Sequence, residues 1–346
     1  MKIKDVEIES KDLEYKSEVT TAHGANTFRR IWILKLTNGN KIFEGEISPL
    51  TGFGDETESS ILSNAEICKQ LLRDYDIRSL ANVTELINNF SDSPCFKSGL
   101  EQALLQMLCF ELKVPINQLL HCENLAKSIQ VNCMIGINSL KESIYQSEKY
   151  FDEGFRSFKL KIGREKIRDD IQFINWLHDR FNNQIEIRLD CNQGLSFIQG
   201  TQFIIDLKDI PIAYIEEPLQ DATHLKALKE FTSIPFAADE SLYNGANIDA
   251  ILSGKLFNYI IIKPGVMGGI INSLELINKI KLHKKQYIVT SSMESPLGMR
   301  KGVIVSALSN SKLAAGLNTL ELFDNIKTNG DYEIKSGRIS IGELVV

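Results

Sequence analysis

Short apolar runs recur along the second half of the chain, with polar or charged residues at their ends. They are Val131–Ile137, Ser157–Ile162, Ile185–Asp190, Ile212–Glu216, Pro235–Asp239, Asn258–Lys263, Gln286–Ser291 and Leu317–Glu321. Each has the length of a buried strand. With Lys161, Asp190, Glu216, Asp239, Lys263 and Ser291 as markers, the runs repeat every 23 to 29 residues. That is the length of one strand plus one crossover helix. The segments between carry helical spacing. Ile167–Asn182 places Ile171, Ile174, Trp176, Leu177 and Phe181 along one stripe, and Thr201–Lys208, His224–Phe231 and Ser273–Lys284 behave alike. Strands alternating with helices predict parallel βαβ units. Eight runs with long crossovers fit a (β/α) barrel better than an open sheet, although the count alone leaves a doubly wound fold open.

The first 120 residues read differently. Val6–Tyr15, Phe28–Leu36 and Lys41–Ile47 alternate as an antiparallel meander, with a turn at Asn38-Gly39-Asn40. Thr57–Arg73 and Gly99–Leu112 read as amphipathic helices, so an α+β domain precedes the barrel. Ser48–Thr57, with Pro49, Gly52 and Gly54, reads as a loop. Tyr332–Val346, with a turn at Ser336-Gly337, carries two short strand-like runs. The expected division is an α+β capping domain over 1–125, a barrel over 126–323, and a tail over 324–346 that returns to the cap.

Composition narrows the function class without naming chemistry. The chain has 346 residues, 43% of them hydrophobic and 24% charged, with a net charge of −6. No basic block is present, which argues against nucleic acid as a partner. The apolar runs Tyr259–Ile262 and Gly302–Leu308 are too short to span a bilayer, and the N-terminus lacks a signal-peptide apolar region. The six cysteines form no CxxC pair and predict reduced thiols, hence a cytoplasmic protein. A homo-oligomer is left open.

The chemistry sits in the end markers. In such barrels the active site forms at the C-terminal ends of the strands. Residues i and i+2 share a side of a strand, so Lys159 and Lys161 face one way, and Asp190 and Asn192 do the same if the strand continues. Asp190, Glu216 and Asp239 then stand on three successive strands about 4.8 Å apart. Three bare carboxylates so close repel one another, and a hard divalent cation such as Mg²⁺ resolves this. Lysines flank them, with Lys159 and Lys161 one strand before and Lys263 one strand after. This layout suits proton abstraction next to a carboxylate, with metal stabilising the enediolate and a neutral lysine as base. Singly, each feature also reads as ordinary structure, because a strand-end Asp commonly caps the next helix. Five charged residues at consecutive strand ends are hard to obtain that way.

Lys-x-Lys at 159–161, Asp-x-Asn at 190–192, Glu-Glu-Pro at 216–218, Asp-Glu-Ser at 239–241 and Lys-Pro-Gly at 263–265 resemble the enolase superfamily, muconate lactonizing enzyme subgroup. The resemblance implies a (β/α)7β TIM-like barrel with an N-terminal α+β capping domain. It also implies Mg²⁺ on Asp190, Glu216 and Asp239, and a lysine base. Gly45–Thr57, Thr290–Gly298 and Ala315–Phe323 further resemble the o-succinylbenzoate synthase family. That family dehydrates 2-succinyl-6-hydroxy-2,4-cyclohexadiene-1-carboxylate to 2-succinylbenzoate in menaquinone synthesis. Carried over, Lys161 is the base and later the acid, and Lys263 stabilises the enediolate by cation–π contact. Lys159 tunes Lys161 and helps hold the substrate carboxylate. Thr290, Ser291 and Gly316 meet the succinyl tail, with Asn192 also at the substrate. The family often has Ser where Thr290 stands.

Dipeptide epimerases of the subgroup usually carry Asp-x-Asp at the last strand, where this chain has Asn318-Thr-Leu-Glu-Leu-Phe323. N-succinylamino acid racemases share most of the motifs. A metal-free Schiff-base aldolase using Lys263 does not explain the three carboxylates. A barrel that only binds does not explain the complete set.

Overall fold

The computed structural model describes all residues except 1, 22–23, 40, 74, 123–124, 208, 244–246, 325, 327–331 and 343–346. Strands β1 (Asp5–Thr21), β2 (Gly24–Thr37) and β3 (Ile42–Ile47) form the antiparallel meander. The expected turn after β2 includes Asn40, which lies outside the described residues. Helices α1 (Glu58–Leu72), α2 (Leu80–Ile87), α3 (Pro94–Leu112) and α4 (Ile116–Leu119) follow. The start of α1 matches a capping box, in which Thr57 and Ser60 bond each other's backbone amides. The alternation in this region did not reveal α2. Helix α3 begins five residues before the expected start and is not amphipathic. Most of its residues are buried, as expected of a helix enclosed between two layers. It packs on β3 at Gly45 and Gly99, where a Cβ on Gly45 would lie 1.8 Å from the Gly99 carbonyl oxygen. Only a glycine permits that approach.

Next come β4 (Ser128–Gln130), β5 (Cys133–Ile135), α5 (Leu140–Asp152), β6 (Ser157–Lys161), α6 (Ile167–Phe181), β7 (Glu186–Asp190) and α7 (Phe197–Asp206). The chain continues through β8 (Ile212–Glu216), α8 (Leu225–Lys229), β9 (Phe236–Ala238), α9 (Ile248–Ser253), β10 (Phe257–Ile262), α10 (Ile270–Leu282), β11 (Gln286–Val289) and α11 (Pro296–Ser309). Strands β5 to β11 form one parallel seven-stranded sheet in sequence order. Phe158 and Leu160 face outward into the apolar layer under the helices, and Lys159 and Lys161 face inward, as alternation requires.

The eighth strand differs from expectation. Leu320–Leu322 is a 3₁₀ turn, and the ring closes two residues earlier than the expected run. Ala315 bridges Val131 at the β5 edge and Gly316 bridges Thr290 at the β11 edge, both in parallel. The sheet is therefore a closed (β/α)7β barrel whose last strand is two residues long.

Among the described residues the tail meets the meander only at its start, and its strands pair elsewhere. Strands β12 (Ile334–Lys335) and β13 (Arg338–Ser340) form a hairpin that pairs with β4, not with the meander. Contact with the meander comes at the start of the tail, where Ile326 also packs near Leu13 and Ile31. The Phe323 ring stacks on Tyr15 at 4.8 Å, and the Asp324 amide donates to the Glu14 carbonyl at 2.8 Å. The expected tail residues 325, 327–331 and 343–346 lie outside the described residues.

All six cysteines are free thiols. Among the described residues no helix is long and apolar enough to cross a membrane.

Candidate functional site

Register places the charged residues. Lys161 on β6 pairs with Asp190 on β7, and Asp190 pairs with Glu216 on β8. Asp239 follows β9 directly, and Lys263 follows β10. These ends open into a cavity of about 760 Å³ between the barrel mouth and the first domain. Lys159, Lys161, Asp190, Asn192, Asp239, Lys263, Thr290, Ser291 and Gly316 all line it. Glu216 does not. It is fully buried behind the wall and joined to the cavity through Lys159.

The lysines and carboxylates are interleaved. The Lys159 ammonium donates to Glu216 Oε1 and lies against Asp190 Oδ2, both at 2.8 Å. Lys161 Nζ donates to Asp190 Oδ2 at 2.8 Å and to Asn192 Oδ1 at 2.6 Å. Lys263 Nζ donates to Asp239 Oδ2. In the sheet order three strands separate β6 from β10, so Lys161 and Lys263 stand on opposite walls of the eight-membered ring.

Burial and charge compete at each group. Burial alone would push Lys159 down, but Asp190 and Glu216 outweigh it and hold the ammonium well above its ordinary range. Burial would raise Asp190, yet Lys159 and Lys161 pull it below the usual carboxylate range. Glu216 goes the other way, raised well above normal by burial and by the neighbouring Asp190 charge. Glu240 is pushed up to about 7 by burial and by the Asp239 and Asp190 charges.

Glu216 Oε2 and Asp239 Oδ1 are buried with no hydrogen-bond partner among the described residues. A buried carboxylate oxygen without a partner is costly, and an oxygen-seeking divalent cation satisfies it. The donor set thus fits Mg²⁺. The side chains do not stand as a ready-made cage. Among the described residues no three His, Cys, Asp or Glu side chains converge as a metal-holding group, because lysine ammoniums stand between the carboxylates.

Several participants escaped sequence reasoning. Glu217 accepts the backbone amides of Asp239 at 2.8 Å and Ser241 at 2.9 Å, plus the Ser241 hydroxyl at 2.8 Å. It therefore fixes the backbone that aims Asp239. Its φ of 40° and the 42° of Asn192 are unusual for non-glycine residues, and such strain gathers at functional sites. Glu240 Oε1 accepts from Asn192 Nδ2 at 2.9 Å. Phe53, from the 48–57 loop, lies under Lys263 with 3.8 Å between Nζ and the ring centroid. The Glu-Glu-Pro and Asp-Glu-Ser motifs contain Glu217 and Glu240, but strand-end spacing singles out only one acid in each. Nothing local marks Phe53, since its contact spans the two halves of the chain.

The β11 and closing-strand ends form a neutral polar wall. Thr319 Oγ1 donates to Ser291 Oγ at 2.9 Å, Ser291 Oγ in turn donates to the Glu294 carboxylate buried behind the wall at 2.5 Å, and Thr290 Oγ1 is buried without a partner among the described residues. Glu321 turns away from the cavity and accepts from Tyr150 at 2.6 Å and from Asn318 at 2.5 Å.

Residues 143–344 match the family described as "Enolase C-terminal domain-like". The L-Ala-D/L-Glu epimerase of Francisella tularensis subsp. novicida is 25% identical over 310 residues, covering 88% of this chain and 85% of that protein. The o-succinylbenzoate synthase of Desulfotalea psychrophila is 25% identical over 349 residues, covering 91% and 93%. A dipeptide epimerase from Enterococcus faecalis, solved with Mg and L-Leu-L-Tyr, superposes with a TM-score of 0.87. It is 19% identical and covers 100% of this chain and 98% of that one. The family match spans more than half of the chain, and the fold agrees over its whole length. The chain belongs to the enolase superfamily.

Proposed function

We propose that the chain is an o-succinylbenzoate synthase, a Mg²⁺-dependent hydro-lyase that forms 2-succinylbenzoate by syn dehydration of 2-succinyl-6-hydroxy-2,4-cyclohexadiene-1-carboxylate. The observation that carries this reading is the neutral wall of Thr290, Ser291, Asn318 and Thr319 at the seventh and eighth strand ends. A dipeptide brings an α-ammonium, for which relatives of the epimerase type usually present a carboxylate pair there. In this chain the acid of that stretch, Glu321, is engaged with Tyr150 and Asn318. A succinyl tail asks instead for hydroxyl and amide donors.

Asp190, Glu216 and Asp239 are the residues we assign to hold Mg²⁺. When bound, the ion supplies positive charge that offsets the charge growing on the substrate carboxylate. Lys161 removes the ring proton next to that carboxylate. It then returns the proton to the departing hydroxyl on the same face. A C–H and a C–O bond break, a ring double bond forms, and water leaves. Lys161 must act as a neutral amine, whereas Lys159 stays charged between its two carboxylates. Lys263, across the barrel, faces the intermediate with a cation.

A second reading, an N-succinylamino acid racemase or dipeptide epimerase, draws on Lys161 and Lys263 standing on opposite walls, one for each face of an α-carbon. Asp55 in the cavity wall offers an acid for an ammonium group. Incubating the enzyme and Mg²⁺ with the cyclohexadiene substrate, and separately with N-succinylamino acids and dipeptides in D₂O, decides between them. Absence of 2-succinylbenzoate together with α-deuteration of an amino-acid substrate would sink the synthase reading.

A further inference from the structure

Arg188 is the least expected side chain inside the barrel. It stands on β7 two residues before Asp190, level with Lys159 on β6, and is 1% exposed. Barrel interiors are normally packed with branched apolar side chains. A guanidinium there is costly unless paired and hydrogen-bonded. Arg188 is paired on several sides. Its Nε donates to Glu186 Oε1 at 2.6 Å. One Nη donates to the Ala314 carbonyl at 2.7 Å and reaches Asn132 Oδ1 at 3.5 Å. The guanidinium also lies 5.5 Å from the centroid of the Tyr214 ring. The proposed chemistry uses none of these contacts.

Ala314 directly precedes the shortest strand of the barrel. Ala315 and Gly316 each make a single bridge, so the ring closes on very few backbone bonds. The Ala315 amide donates to Gln130 at 2.7 Å, and the Asn132 amide donates to Ala315 at 2.9 Å. The Gly316 amide donates to Val289 and the Ser291 amide donates to Gly316, each at 2.9 Å. The bond from Arg188 to Ala314 crosses the barrel interior to this seam from two strands beyond β5. The seam carries part of the cavity wall, since Asn132, Thr290, Ser291 and Gly316 all line the cavity. That wall has no slack. A Cβ on Gly316 would lie 2.8 Å from Thr290 Cγ2 and 3.5 Å from Asn132 Oδ1.

We propose that Arg188 is a positioning residue, a latch across the barrel interior that holds the 314–316 seam closed and so sets the wall formed by Thr290, Ser291 and Gly316. It acts through that wall and touches no substrate. The latch does not depend on which substrate the wall receives. The kinetic assay uses whichever substrate of the preceding section the wild-type enzyme turns over, and the exchange assay needs none, so the two proposals fail separately.

The test compares Arg188→Met, which has no donor, with Arg188→Lys, which keeps the charge on one donor nitrogen. In Arg188→Met, amide hydrogen exchange at 290–291 and 315–316 should speed up about tenfold or more, while Leu189 and Ile215 stay within about twofold. KM should rise about tenfold with kcat within about threefold, the pattern of lost binding geometry rather than lost chemistry. Arg188→Lys should restore most of both. If Arg188→Met does not fold, Arg188→Lys decides alone. A single ammonium nitrogen cannot take both the Nε position at Glu186 and the Nη position at Ala314, so KM should rise about threefold with seam exchange faster. Unchanged exchange and KM, exchange that rises uniformly through the barrel, or a fall in kcat at unchanged KM would each overturn the latch.

Discussion

The Lys263 ammonium sits 3.8 Å from the centroid of the Phe53 ring while donating to the Asp239 carboxylate. Phe53 is buried in the cap loop and meets the Tyr243 ring edge-on at 4.9 Å. The loop therefore completes the surroundings of a residue that the barrel alone leaves half-framed. A desolvated cation–π contact is worth roughly 0.5–2 kcal/mol. In Phe53→Leu, which stays apolar and keeps most of the volume but loses the π face, kcat/KM should fall about 3- to 30-fold with little change in melting temperature. Steady-state kinetics beside thermal unfolding checks this. Unchanged kcat/KM would mean that the ring only fills space.

Lys161 and Lys159 share a strand and the Asp190 carboxylate but face different tasks. Removing a positioned general base typically costs roughly 10²–10⁴-fold in rate. In Lys161→Ala turnover should fall by about that range or more. Mg²⁺ affinity, measured by calorimetry, should stay within about threefold, because Lys161 is not assigned to the ion. Surviving turnover in Lys161→Ala would remove it from the role of base.

Glu217 does not itself line the cavity, yet its carboxylate holds the Asp239 and Ser241 backbone. Residues that orient metal ligands typically contribute about 10- to 100-fold in metal affinity. Glu217→Gln should weaken Mg²⁺ binding by about that factor while the fold persists. Chelation of the wild-type enzyme should abolish turnover, and added Mg²⁺ should restore it. Mg²⁺ should also raise the melting temperature of the wild type, since an ion held by the native state stabilises it, and should do so less in Glu217→Gln at the same concentration. Equal thermal shifts in both would separate Glu217 from the ion.

The strand ends were legible because strand geometry is local. Period-two alternation decides that Lys159 and Lys161 face inward, and the length of a βαβ unit sets the spacing of Asp190, Glu216 and Asp239. The eighth strand was misplaced for a physical reason. Leu317–Glu321 alternates well, but ring closure needs residues small enough for contact with Thr290, and Ala315 and Gly316 meet that demand. Phe53, Glu217 and Arg188 act through partners far along the chain or through backbone that alternation does not describe. The hairpin of the tail pairs with β4, a three-residue strand too short to leave a pattern.

Glu101 on α3 shows how the cap is tied to the barrel. Its carboxylate is fully buried and accepts the Ile270 amide at 2.5 Å and the Ile271 amide at 3.3 Å, at the start of α10. On the same helix the Ser98 hydroxyl donates to the Pro264 carbonyl at 3.0 Å, just after Lys263. Burial pushes Glu101 up to about 8, against the two amides and the Lys97 and Lys301 cations. The folded pKa therefore lies above the ordinary 4.5 of the unfolded chain. Between these values the native state holds the proton more tightly, so the contribution of Glu101 favours folding at low pH. It falls as pH rises through the window and levels off above about 8. Glutamine cannot ionise but keeps an acceptor for the amides. Glu101→Gln should thus flatten the decline of stability between about pH 4.5 and 8, by at most about 1.4 kcal/mol per pH unit. Urea midpoints for both proteins at pH 5.5, 7 and 8.5 measure the difference. Parallel curves would mean that Glu101 ionises in its ordinary range and that the two α10 amides hold it as a carboxylate, reversing the balance between burial and hydrogen bonding at this junction.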